Sequence, residues 1–264
     1  MLFRRLFLCA LLVGLCTGLF HSAVQRFQVV PLIAAAEVFE SALAPEPAAP
    51  PAHEAGAAAG AHNHPAWEPQ DGLERTFWTV VANVLGATGF ALVLIPAMAW
   101  WDRQRGGGAA SWRTGLVWGA AGWLCFFVWP ALGLRPELPG EVSAALPARQ
   151  AWWLLAVACA AAGLGLLAVA KGQWRWLGVL LLGLPFLVGA PHADAPAFAR
   201  YAADAASQME QLKAQFLIAT ALASALHWLV LGAAAGLVTA RWLRPWLAAP
   251  SDGGAARSAV RRTA

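Results

Sequence analysis

The chain has 264 residues, 59% of them hydrophobic and only 12% charged, with a mean hydropathy of +0.57. That composition excludes an ordinary soluble globule. The net charge of +4 does not point to nucleic acid, because the cations sit in short segments beside long apolar runs, where membrane topology alone calls for them.

Six apolar stretches predict membrane helices, at about 6–24, 76–101, 114–132, 152–170, 176–190 and 216–240. Crossing the hydrocarbon core takes roughly 20 helical residues. The fifth stretch is shorter and carries Pro185, so it either crosses a thinned path or dips in and returns. The expected fold is an all-α membrane protein, a polytopic helical bundle of about six transmembrane helices, with five as the alternative. The first stretch follows Arg4 and Arg5 and could pass for a secretory signal. Its apolar run is longer than a usual signal core and no small-x-small site closes it, so a retained first helix is expected.

Residues 25–43 are mixed in character and hold Glu37 and Glu40, three apart and therefore on one face of a helix. Residues 44–61 are almost entirely Ala, Pro, Gly and Glu with His53, a composition that cannot bury a core and predicts a flexible arm. The arm ends at His62-Asn63-His64-Pro65. Residues 102–113 form a basic turn with three consecutive glycines. Residues 129–140 hold three prolines and two glycines, which predicts a rigid non-helical loop; it includes Arg135 and Glu137. Arg149-Gln150 opens the next helix, with Trp152 and Trp153 at headgroup level. Residues 198–215 are expected as an amphipathic segment on the outer surface, before a last helix with His227 near its centre. The expected domain layout is one membrane-embedded domain over 1–245, with the His/Ala/Pro-rich loop at about 44–70, and a disordered basic tail over 246–264.

Numbering the intervening segments alternately from a cytoplasmic N-terminus sorts the charges. The inside segments hold twelve of the 18 Lys and Arg and only Asp102 and Asp252 of the 14 acids. Cytoplasmic loops are enriched in Lys and Arg, so both termini are expected in the cytoplasm, and the acidic, His-bearing loops face outward. Arg-rich composition suggests a bacterial source and therefore an inner-membrane location. The four cysteines lie inside apolar stretches, which argues against a disulfide framework.

The candidate chemistry is metal binding. Neutral imidazole is the commonest side-chain ligand for divalent transition metals. His62 and His64 on an extended segment point the same way, and His53 lies upstream on the same arm. His21 near the outer end of the first helix, and His192 with Asp194 at the outer end of the fifth, could extend a ligand path. Glu37 and Glu40 add carboxylates. Glu137 either ligates a cation or pairs with Arg135 or Arg149. His227 is an ionisable residue at mid-membrane, where such groups usually face the bundle interior or a cavity; the alternative is a neutral His bonded to a neighbouring helix. Asn83 and Thr88 could line a path or bond between helices. There is no phosphate-binding G-x-x-x-x-G-K-[ST], no H-E-x-x-H and no G-x-S-x-G, so no ATP hydrolysis by that route and no enzyme activity is expected.

Several motifs together resemble the CbtA family of cobalt transporter subunits. They are Phe3-Arg4-Arg5-Leu6, Pro31-Leu32-Ile33 with Ala36-Glu37 and Glu40, and the His-x-His arm before Asp71-Gly72-Leu73-Glu74-Arg75-Thr76. Pro130-Ala131-Leu132-Gly133-Leu134-Arg135-Pro136-Glu137-Leu138-Pro139-Gly140, Arg149-Gln150-x-Trp152-Trp153 and Gly189-Ala190-Pro191-His192 complete the set. Arg135 departs from the pattern, where an apolar residue or Pro is expected. The resemblance implies cobalt uptake linked to cobalamin synthesis, with cobalt as cargo and no resident cofactor. It also implies a small single-span partner, CbtB, with its own His-rich end; membrane lipid is the only other partner expected. The rival readings are a non-transporting membrane scaffold for a metal-handling partner, and a haem protein with His21 and His227 as axial ligands.

Overall fold

A computed structural model describes residues 2–43 and 69–247. Among the described residues the chain is helical without strands, in seven helices: α1 (Leu2–Gln28), α2 (Val30–Leu43), α3 (Leu73–Gln104), α4 (Trp112–Ala131), α5 (Leu146–Val169), α6 (Trp174–Val188) and α7 (Ala203–Leu247). Five of these are long and apolar enough to cross a membrane, and α6 is a shorter apolar helix. The bundle is therefore an all-α polytopic membrane protein.

At ~1.5 Å per residue the 15 residues of α6 rise about 22 Å, less than the ~30 Å of hydrocarbon. The helix nonetheless runs back along most of α5. At one end Arg175 donates to the Leu167 carbonyl at 3.2 Å; at the other, Trp152 Nε1 donates to the Pro185 carbonyl at 3.1 Å. Gly163 and Gly178 meet between these points, each so placed that an added Cβ would lie 2.8 Å from the other's carbonyl oxygen.

Glycine sets the other helix crossings too. A Cβ on Gly14 or Gly18 of α1 would fall 2.4 Å from Thr88 Cα or 2.6 Å from Val84 Cα of α3. On α4, a Cβ at Gly115 or Gly119 would fall 2.2 Å from the carbonyl oxygens of Gly232 and Trp228 on α7. Lipid tails are as apolar as leucine, so helices in a bilayer associate through close van der Waals approach, and small residues permit it. These contacts surround a core of Cys9, Ala10, Val13, Ala91, Ile95, Met98, Leu231 and Ala235, shared by α1, α3 and α7.

One end of the bundle is basic. Asp102, 1% exposed, accepts from the Ala110 amide at 2.6 Å and from Arg244 at 3.1 and 3.3 Å. Arg244 in turn donates to the Ala110 carbonyl at 2.5 Å. The Arg5 guanidinium stacks over Trp246 at 3.7 Å. The start of α1, the end of α3, the start of α4 and the end of α7 thus meet where the cations cluster, the cytoplasmic end by the positive-inside rule.

The opposite end carries a cap that the sequence reading divided differently. Residues 203–215 are the first turns of α7, continuous with its membrane part, and not a separate surface segment. Apolar Met209 and Phe216 make the difference: they are buried against Val29 and Ala36 of the α1–α2 region, Leu138 of the Pro-rich loop and Phe198. That burial holds the extra turns upright. Residues 132–145 are non-helical, but Trp129–Ala131, which the sequence reading put in that loop, still belong to α4, because Pro130 falls within the three-residue helical turn that follows the π-helical stretch. Glu141 of that loop is paired with Lys213 of α7. Tyr201 sits over Gly140, and burial together with the nearby Glu40 carboxylate pushes its phenol pKa up.

Two outcomes test this architecture. Gly119→Val should destabilise or misassemble the detergent-solubilised protein by about 2 kcal/mol or more, the scale of overpacking, while Gly86→Ala, where a Cβ meets nothing within 4 Å, should be neutral; thermal denaturation followed by gel filtration reads both. In a background without the native cysteines, Asp194→Cys should react with an impermeant thiol reagent on intact cells and Gln173→Cys only after permeabilisation. Equal labelling of both from outside would mean that α6 does not cross.

Candidate functional site

Two polar features occupy the acidic half of the bundle. The first is a cleft of about 840 Å³ between the end of α1, α2 and the start of α3. Its rim is built on Arg75. The guanidinium forks onto Glu37, with Nη1 donating to Oε2 at 2.9 Å and Nη2 meeting Oε1, and Nη1 also reaches Asp71 at 3.1 Å. Planar bidentate pairing suits arginine and carboxylate, and here it ties α2 to α3. The floor is built on Asn83, whose amide nitrogen donates to Ser22 Oγ at 3.0 Å and Gln25 Oε1 at 2.7 Å. Ser22 passes its own hydrogen to the Gly18 carbonyl at 2.9 Å. Asn83 therefore both lines the cleft and bonds between helices.

The second feature begins one residue from that floor. His21 turns from α1 toward α7, and its ring lies 4.5 Å from that of His227, centroid to centroid, with the planes 40° apart. His227 is 6% exposed. One side of its ring engages the Thr17 backbone of α1, as the bonded-neutral reading expected. Both Nδ1 atoms are buried and have no hydrogen-bond partner. A buried polar atom left unpaired is costly and calls for an explanation. Two imidazoles with free nitrogens are a borderline-soft donor pair suited to Co, Ni or Zn ions. Among the described residues no three of His, Cys, Asp and Glu gather into a metal cage. Among the described residues the pair therefore offers two side-chain ligands and no third His, Cys, Asp or Glu beside them. The rings lie closer together here than two axial imidazoles on either side of a porphyrin would.

The other candidates are dispersed. Glu37 lines the cleft but is held by Arg75; Glu40 is exposed on α2, toward Tyr201 and not in the cleft lining. His192 and Asp194 are exposed between α6 and α7, and neither lines the cleft. Glu137 is paired with Arg149, the structural alternative of its two readings. His53, His62 and His64 lie outside the described residues. Sequence reasoning passed over Ser22, Gln25, Asp71 and Arg75. The available signal was Ser22 and Gln25 at helical spacing just after His21, opposite a lone Asn in an apolar helix.

The comparisons agree with this membrane architecture. A family model described as probable cobalt transporter subunit (CbtA) matches residues 3–240. None of the curated proteins and none of the solved structures matches the chain. The family match spans all seven helices, the cleft and the histidine pair, and the chain belongs to the CbtA family of probable cobalt transporter subunits.

Proposed function

We propose that this subunit forms the inward route for a divalent transition metal, Co²⁺ above all, with the His21–His227 pair as the transit site inside the bundle. The observation that carries this reading is the pair itself: two rings in contact, His227 buried and His21 half-buried, each with a buried and unpartnered Nδ1, and with His21 next in sequence to Ser22 of the cleft lining. A conducting site must bind strongly enough to admit an ion and weakly enough to release it. Two histidines with no third His, Cys, Asp or Glu beside them among the described residues meet that condition better than a closed cage.

The ion reaches the pair through the cleft. Residues 44–68 join the end of α2 to the start of α3, and both helices line that cleft, with Ser41 on one side and Asp71 on the other. His64 is seven residues from Asp71, a distance of at most about 25 Å fully extended. His53, His62 and His64, carried on the segment that joins these two helices, are the proposed capture ligands. Glu37, released from Arg75 by an arriving dication, is the next ligand, and Glu40, His192 and Asp194 add to the negative, ligand-bearing outer face. Glu137 is left out of the route because Arg149 holds its carboxylate. The membrane potential supplies about 4.6 kcal/mol per 100 mV for inward movement of a divalent ion. The chain's subunit status supports partner subunits, and a small single-span CbtB-like protein is the one proposed. A bacterial inner membrane is the proposed location.

Titrating Co²⁺ into purified protein tests the transit site. Cobalt–imidazole coordination is expected to give visible absorption bands. His21→Phe and His227→Phe keep a ring in place but remove the nitrogens, and each should weaken cobalt binding at least about tenfold, since ligand loss costs no less than loss of an outer-shell partner. Unchanged bands and affinity in the double variant, with normal gel filtration, would sink the reading and favour a scaffold subunit.

A further inference from the structure

A second, smaller pocket of about 210 Å³ lies on the same side of the bundle, away from the cleft. Its walls come from the last turns of α4, the Pro-rich loop and the start of α5, chiefly Phe126, Phe127, Arg135, Glu137, Arg149 and Trp153. The α4 backbone widens into a π-helical stretch at Leu124–Val128, which resets the direction of the two phenylalanines. Such bulges are frequent at functional sites. Phe126 packs on Trp153 at 6.3 Å and Phe127 stacks on Trp123 at 6.3 Å, so the membrane side of the pocket is aromatic.

The water side is cationic. Arg149 spends Nη2 on Glu137, but its Nε is buried without a partner. Arg135 is exposed and forms no ion pair among the described residues. Both guanidiniums line the small cavity, and two of them against one carboxylate leave one positive charge there. Guanidinium forks match phosphate oxygens in shape and charge, and aromatic walls beside them suit the apolar part of an amphiphile.

We propose that this pocket binds a phosphate group, with Arg135 and the free edge of Arg149 as donors and Glu137 positioning Arg149. The phosphate can belong to an outer-leaflet lipid headgroup or be free in solution, and the chemistry of the site is the same for both.

The test uses full-length protein in detergent, wild type against Arg135→Ala and Arg135→Lys. The control is Arg200→Ala, which removes an exposed outer arginine away from this pocket. One arm measures co-sedimentation with phosphatidylglycerol vesicles against phosphatidylcholine vesicles; the other measures the thermal shift with inorganic phosphate. Loss of one charge-assisted contact should weaken binding about tenfold in Arg135→Ala, less in Arg135→Lys and not at all in Arg200→Ala. An effect confined to the vesicle arm assigns the site to lipid, and one confined to the phosphate arm assigns it to a free anion. No binding in either arm, or equal loss in Arg135→Ala and Arg200→Ala, overturns the proposal.

Discussion

Close backbone approach at glycine is the constraint on which the rest of this bundle depends. In water, apolar faces alone would drive these helices together; in lipid they would not. Gly14 and Gly18 bring α1 onto α3, and Gly115 and Gly119 bring α4 onto α7 at Gly232 and Gly236. With α1 held on α3 and α7 packed across both, the two helices that carry histidines are forced into one core. The His21–His227 contact follows from that geometry. It is not made by any local motif, since the two residues are 206 positions apart.

The charges close the two ends by different means. At the cytoplasmic end Asp102 is the one acid among the described residues, fully buried between an arginine and a backbone amide. Removing one member of such a pair strands the other, which is where most of its energetic weight lies. At the outer end the acids are more numerous and more exposed, and their arginine and lysine partners sit at the surface of a cleft or cap. Glu37 and Asp71 share a single arginine. On the proposed route a dication would arrive at two carboxylates that share one neutralising arginine.

Much of this was legible in the sequence, and the boundaries of legibility have physical causes. The helices follow from hydropathy, and Arg4, Arg103, Lys171 and Arg244 fall beside their ends, because the bilayer imposes apolar length and charge placement on the chain regardless of partners. The rigid outer loop follows from its prolines. The long first turns of α7 do not follow, because residues 203–215 are polar enough to read as a surface segment until Met209 and Phe216 are seen to pack on α2. His21 and His227 were set together only in the rival haem reading and not as a metal transit pair, because depth along two helices fixes height and not which faces meet. The Arg75–Glu37 tie was also hidden, because a salt bridge across a long loop leaves no periodic trace. The motifs of the Pro-rich loop and of Arg149-Gln150-x-Trp152-Trp153 pointed to the family without revealing that they build one pocket wall.

Cobalt flux bears most directly on the central claim, that the histidine pair is a transit site. Radioactive cobalt uptake would be measured in cells expressing the chain with its partner subunit, comparing wild type, His62→Ala/His64→Ala and His21→Phe/His227→Phe at matched membrane abundance. The account predicts that the arm variant loses uptake mainly at low external cobalt and recovers at high cobalt, while the bundle variant stays low at every concentration. Wild-type uptake in the bundle variant would contradict it and place the metal's route elsewhere.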